Sequence, residues 1–222
     1  MTLNELKKIF PYATNDTWHQ HNNGGGWVQK TAEVADTAYV GVSALVCDNA
    51  RVCDNARVCD NAQVYGDAQV CGDAQVCDNA RVYGNARVYG NARVCGNARV
   101  CGDAQVCGNA VVYGNARVYG DAQVYGDAQV YGNMQLIDNK WDFSPLSIIG
   151  CKYTMNVVAY GKISIGCKIH TIDKWKRIGK QLAKSEGLTK QELSDFVNAF
   201  KFAITWMKNH KVSKNSLDNS KV

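Results

Sequence analysis

The chain has 222 residues, with 25 Lys and Arg against 20 Asp and Glu and a formal charge of +5. This balance is mildly basic and lacks the dense Lys/Arg stripe of a nucleic-acid binder, so nucleic acid is not an expected partner. No stretch approaches the roughly 18 apolar residues of a membrane span, and the opening MTLNELKKIFPY has neither the apolar run nor the small-residue cleavage site of a secretory signal. A cytoplasmic, thiol-reduced protein with no membrane contact is therefore expected.

Residues 1–27 read as an N-terminal cap. Thr2-Leu-Asn-Glu5 fits a capping box, which opens a short helix to about Phe10. A loop with Trp18, His19, His21, Gly24, Gly25, Gly26 and Trp27 follows. His19 and His21 have no third partner nearby, so the loop is read as plain connection and not as a metal site.

From Val28 onward the period is six. An aliphatic residue recurs at every sixth position from Val28 to Val130 and then at Leu136, and Ala follows each Val by four residues from Ala32 to Ala128, with Met134 last. Residues 28–135 divide into eighteen hexads with no insertion. In Ala80-Arg81-Val82-Tyr83, alternation turns Ala and Val inward and Arg and Tyr outward. Gly84-Asn85 then turns the chain, because Gly, Asn and Asp tolerate the backbone a tight corner needs. Each hexad is thus one strand and one corner, and three corners close a triangular coil of eighteen residues. About six coils, stacked at roughly 4.8 Å, make a prism over residues 28–140. Such a stack needs a cap at each end.

Stacking by eighteen sorts the outward residues into columns. Arg81, Arg99 and Arg117 share one, with Gln63 and Gln135, and Tyr83, Cys101 and Tyr119 form the adjacent one. The other two faces carry Arg51, Gln69, Arg87, Gln105, Gln123 and Arg57, Gln75, Arg93, Val111, Gln129. Ten cysteines would suggest a disulfide framework in a small secreted chain. Eight of them occupy one repeat slot, so their number follows from repetition. In-register side chains run parallel, which holds Cβ atoms farther apart than a disulfide prefers, and a flat column does not converge on a metal. Free thiols, with no metal and no cofactor, are expected.

After Leu136 the period breaks at Asp138-Asn-Lys-Trp141, and residues 141–211 read as a separate α+β domain. Strands are expected at Ser147–Cys151, Met155–Tyr160 and Ile163–His170, with Gly161 at a turn. A helix spans Ile172–Glu186 and stops at Gly187. Thr189-Lys-Gln-Glu192 is a second capping box, for a helix to about His210. The apolar stripe Leu193, Phe196, Val197, Phe200, Ile204, Met207 covers the open end of the solenoid or joins subunits. Cys151, Cys167 and His170 match no zinc spacing and read as core cysteines beside a capped histidine. Residues 212–222 read as a disordered tail.

The pattern aliphatic-x-x-x-small-x resembles the hexapeptide-repeat, left-handed β-helix superfamily, with one departure. The slot after the aliphatic residue is Cys or Tyr here, where the family often has a small or acidic residue. The resemblance implies a mainly β, left-handed parallel β-helix and a homotrimer. Ser144-Pro-Leu…Ile148…Gly150 and Ile163-Ser-Ile-Gly-Cys-Lys-Ile-His-Thr171, before a helix bearing Trp175, look like a small domain appended to such solenoids in phage and prophage proteins. The family's acyltransferases imply a histidine beside an extruded loop, and its zinc carbonic anhydrases imply three histidines. No histidine lies between residues 22 and 169, so no catalytic residue is assigned. The expectation is a non-enzymatic binding protein of a phage, acting in the bacterial cytoplasm and sequestering a small anionic ligand such as a nucleotide immune signal. Its candidate ligand residues are Arg81, Arg99, Arg117, Tyr83, Tyr119, His170, Lys174 and Arg177. A structural scaffold and a divergent acyltransferase resting on His170 are the alternatives.

Overall fold

A computed structural model describes residues 1–149 and 151–210, so the tail expected beyond residue 211 lies outside the described residues. The hexads build three parallel sheets, one per side of a triangular solenoid of about six turns. The first face runs from Trp27–Gln29 through Leu45–Val46, Gln63–Val64, Arg81–Val82, Arg99–Val100 and Arg117–Tyr119 to Gln135–Ile137. The second runs from Glu33–Val34 to Lys140–Trp141, and the third from Tyr39–Val40 to Gln129–Val130. The eighteen-residue register holds from Trp27 to Ile137, with Arg81 opposite Arg99, Arg87 opposite Gln105 and Gln75 opposite Arg93. Most strands are two residues long, shorter than the four expected from 80 to 83. A typical hexad sends two ladder bonds to the next coil from the residues flanking its Val, such as Arg81 N–H to Ala98 O at 2.9 Å and Tyr83 N–H to Val100 O at 3.0 Å, before the chain turns.

The repeated Val and Ala fill the bore. From Ala38 to Val130 every one is fully buried, and each Val contributes roughly 1.5–3 kcal/mol. From residue 48 onward the first turn residue of each corner has positive φ. Glycine takes it at most positions, such as Gly66 at +72°, and aspartate takes it at Asp48, Asp54, Asp60 and Asp78, at +56° to +60°. Those carboxylates have a task. Asp48 Oδ2 accepts from Gly66 N–H at 3.0 Å in the next coil, and Asp78 Oδ2 accepts from Gly96 N–H at 2.8 Å. The following Asn residues form a ladder, Asn61 to Asn79 to Asn97 to Asn115 to Asn133, with amide contacts of 3.1–3.3 Å.

The thiols differ from expectation. Cys53–Cys71 and Cys59–Cys77 are disulfides that stitch consecutive coils, with Cα atoms 4.6 and 4.7 Å apart. The strand spacing alone brings the Cα pairs into bridging range, and rotation about the Cα–Cβ bonds closes the gap that parallel side chains would leave.

Helix α1 (Leu3–Ile9) carries the expected capping box of Thr2 and Glu5. It packs against the outside of the first face, where Leu6, Trp18, Trp27, Leu45 and Cys47 form a cluster with Tyr65 at its edge. The expected loop is partly a strand, since Trp18–Gln20 pairs antiparallel with Trp27–Gln29. His19 is exposed, and His21 is buried with Nδ1 3.2 Å from Asn23 O. Gly24 has φ +110°, and a Cβ there would collide with Val40 O, so the loop requires glycine to lie on that strand.

At the other end the solenoid runs one strand past the sequence break. Trp141 pairs with Val124 and fills the Val slot, completely buried. An antiparallel sheet follows, ordered Ser147–Ile148, Met155–Ala159, Lys162–Ile165, Lys168–Thr171. The single strand expected over 163–170 is therefore two, parted at Gly166, whose φ of +57° makes the turn. Helices α2 (Ile172–Ser185) and α3 (Lys190–Asn209) are the last elements of the described residues. Met155, Val157, Ile163, Trp175, Ala203 and Met207 join the solenoid's own core, so this unit closes the bore. Among the described residues no helix is long and apolar enough to cross a membrane.

Candidate functional site

Parallel in-register strands set like residues side by side, and neighbouring like charges repel. The second and third faces avoid this by interleaving, as in Gln69–Arg87–Gln105 and Gln75–Arg93–Val111. The first face does not. Arg81 lies opposite Arg99, and Arg99 opposite Arg117, in three successive coils. At a strand spacing of about 4.8 Å, each adjacent pair of unit charges repels by roughly 1 kcal/mol in a water-like medium. The ion pairs of the described residues are Arg51–Glu33, Lys168–Glu186 and Lys176–Asp173, and none neutralises this column.

Beside the arginines runs the aromatic column. Tyr65 and Tyr83 stack with ring centroids 4.9 Å apart and planes at 1°. In the next coil the column carries Cys101 in place of a tyrosine, and Tyr119 resumes it. The smaller cysteine leaves a notch two coils wide, about 9.6 Å. Tyr83, Arg99, Cys101, Arg117, Tyr119 and Gln135 line a depression of about 240 Å³ there. A hydrogen bond to Cys101, and then burial, push the Tyr83 phenol up to about 12, while Arg99 opposes both. Burial raises the Tyr119 phenol, against the pull of Arg117. Both phenols therefore stay neutral donors near neutral pH, and Tyr119 O–H donates to Gln135 Oε1 at 3.4 Å. The second face repeats the step at Tyr89, Cys107 and Tyr125, but beside Arg87, Gln105 and Gln123, so it lacks the charge.

The depression thus unites Arg99, Arg117, Tyr83 and Tyr119 of the expected residues, and Arg81 stands on the adjoining rung. Cys101 and Gln135 complete it; Cys101 was legible as the break in the tyrosine column. His170, Lys174 and Arg177 do not line it. His170 rests against Trp175 with ring centroids 5.0 Å apart. Burial, then Lys174 and Lys168, hold its imidazole below the ordinary range. Lys174 and Arg177 are exposed on α2. Cys167 is exposed as well, against the expectation of a core cysteine, because it sits in the turn between two strands.

The family model of the YdcK beta solenoid repeat matches residues 50–66, 56–72, 74–90, 80–96, 86–102, 92–108, 104–120 and 112–126. The chain is a β-solenoid protein. The matched segments lie wholly within the coils of this β-solenoid protein and include Arg81, Arg99 and Arg117. No curated protein and no solved structure matches the chain.

Proposed function

We propose that this β-solenoid protein is a non-enzymatic binding protein whose first face holds a small anionic ligand of nucleotide type. The observation that carries the reading is the unbroken Arg81–Arg99–Arg117 column beside the Tyr83–Cys101–Tyr119 notch. Guanidinium groups pair with phosphate in a bidentate fashion, so an anion would relieve the repulsion that the other faces avoid by interleaving. A planar base in the notch would lie against a tyrosine face. The hexads carry no extruded loop and no histidine to serve as a general base beside the notch.

A depression of about 240 Å³ is smaller than the roughly 300–1,000 Å³ that encloses such ligands. In this reading a sister subunit supplies the second wall. The homotrimer, the phage origin and the cytoplasmic role in sequestering a nucleotide immune signal belong to the proposal. They are supported by the resemblance to hexapeptide-repeat proteins and to their phage-type appended domain.

The test is purified protein incubated with a nucleotide panel, followed by thermal shift and mass spectrometry of whatever is retained. Stabilisation by a phosphorylated nucleotide but not by its nucleoside is expected. Failure of every nucleotide to stabilise or be retained would refute the reading in favour of a scaffold. Acyl-CoA turnover that depends on His170 would refute it in favour of an acyltransferase.

A further inference from the structure

Four cysteines of the second and third faces stand apart from the candidate site and from one another in two like groups. Cys53, Asp54 and Cys71 form one, and Cys59, Asp60 and Cys77 the other; within each, the sulfur and carboxylate ligand atoms all lie within 4.8 Å of one another. Among the described residues no other set of three His, Cys, Asp or Glu converges so closely. A flat column of parallel thiols alone would not focus on a metal; here the corner aspartate sets a carboxylate beside each pair of sulfurs. Asp54 sits at φ +58° and its Oδ2 accepts from Gly72 N–H at 2.9 Å. Gly72 directly follows Cys71, so that hydrogen bond anchors the carboxylate beside the sulfurs and leaves Oδ1 unspent. Asp60 repeats the arrangement with Asp78 N–H at 3.3 Å, next to Cys77.

We propose that, with their disulfides reduced, these two Cys–Asp–Cys groups each bind a soft d10 cation of the zinc class. Two thiolates and one carboxylate suit such an ion, and three protein ligands leave its fourth position to water. The cysteines are half-buried and the aspartates exposed, so an ion reaches them from solvent. The chemistry balances in two steps. A tertiary phosphine and one water give each disulfide two electrons and two protons, yielding two thiols and the phosphine oxide; a dithiol does the same by exchange and becomes a disulfide itself. The divalent cation then replaces the two thiol protons, which leave to solvent. Disulfide and metal are therefore mutually exclusive states of one pair of sulfurs. Cys95 stacks on Cys77 in the same column, and Asp78 Oδ2 accepts from the neighbouring Gly96 N–H at 2.8 Å, but Cys77, Asp78 and Cys95 are not among the sets whose ligand atoms converge within 4.8 Å. Cys47 is buried beneath the N-terminal helix with its thiol pushed up to about 12, by burial first and then by Asp48.

The experiment uses the full chain, reduced with a phosphine, desalted without oxygen and titrated with cadmium chloride. Binding is read by sulfur-to-cadmium charge-transfer absorption and by proton release into weak buffer. Two tight sites per chain and about four protons released are expected, one pair per site. Combining Cys53→Ser with Cys71→Ser leaves one site, and adding Cys59→Ser and Cys77→Ser leaves none, although six cysteines remain. Asp54→Asn with Asp60→Asn keeps every thiol and weakens binding by at least about tenfold, since even outer-shell losses cost that much. Protein oxidised with diamide before titration binds no cadmium at these sites. Circular dichroism verifies that each variant is folded; should the quadruple variant unfold, the aspartate pair and the oxidised chain decide. Tight binding that survives in the quadruple variant or in the oxidised chain overturns the proposal, as does a reduced wild-type chain without tight sites or an aspartate pair of unchanged affinity.

Discussion

Asp78 offers a sharp test of how the coils are held, because it occupies a backbone conformation that favours glycine and yet makes a bond that glycine cannot. Its φ is +60°, and its Oδ2 accepts from Gly96 N–H at 2.8 Å. Three substitutions separate the two effects. Asp78→Asn keeps both an acceptor and tolerance of the left-handed region, so its cost should stay near ~0.5 kcal/mol. Asp78→Gly loses about 1 kcal/mol of hydrogen bond and about 0.5–1 kcal/mol of backbone entropy. It regains under about 1 kcal/mol of backbone strain, for a net loss near ~1 kcal/mol. Asp78→Ala loses the same bond and keeps a Cβ where the left-handed conformation costs roughly 1–2 kcal/mol, for a net loss near ~2 kcal/mol. The assay is equilibrium urea unfolding, with amide exchange at Gly96 reporting the bond itself. The predicted order of stability is Asp, Asn, Gly, Ala. An alanine variant as stable as the glycine variant would refute the strain argument. An unchanged Gly96 exchange rate in the alanine variant would refute the hydrogen-bond argument.

Two further outcomes follow from the thiols and phenols. In folded, reduced protein at mildly alkaline pH, a disulfide reagent should modify exposed Cys167 rapidly, and Cys47, with its thiol near 12, only on unfolding; rapid native-state labelling of Cys47 would contradict its burial. The Tyr83 phenol is raised to about 12 in the fold, above the usual value of 10. The folded state therefore holds that proton longer than the unfolded chain does, and the resulting stability is complete below pH 10 and lost as pH rises through about 12. Spectroscopic titration should show Tyr83→Phe removing one phenol from the late part of the curve, and a loss from the early part would contradict the assignment.

The solenoid is legible because one residue type repeats its task. Val at every sixth position and Ala four later admit one inward face per hexad, and the eighteen-residue register then follows from three corners. The Arg81–Arg99–Arg117 run is legible for the same reason, since columns are sums on residue numbers. What escaped depends on contacts that no period encodes. Trp141 breaks the spacing by one residue and changes the slot's identity, yet the bore accepts it as a terminal plug. The N-terminal helix lies outside the first face because Trp27, Leu45 and Cys47 make an apolar patch there; the eighteen-residue sum sets Trp27 beside Leu45, but nothing in the period says which element covers them. The turn at Gly166 within an apolar run needed the pairing of Ile165 with Lys168 to appear. The convergence of Asp54 on Cys53 and Cys71 needed the carboxylate's bond to Gly72, a contact between coils. The notch itself was half visible: the columns were assigned, but the gap that Cys101 leaves between Tyr83 and Tyr119 is a matter of side-chain size in three dimensions.

The most direct test of the ligand reading is isothermal titration calorimetry of the purified protein with a nucleotide taken from the stabilising panel, on wild type, Arg99→Gln and Arg93→Gln. Arg99 lies in the uninterrupted column, and Arg93 stands interleaved on the third face. Loss of one charge-assisted hydrogen-bonded contact costs about 1.5–3 kcal/mol, so Arg99→Gln should weaken binding roughly ten- to hundredfold and Arg93→Gln should leave it unchanged. Equal affinity in wild type and Arg99→Gln would contradict the account, as would an equal loss in both variants.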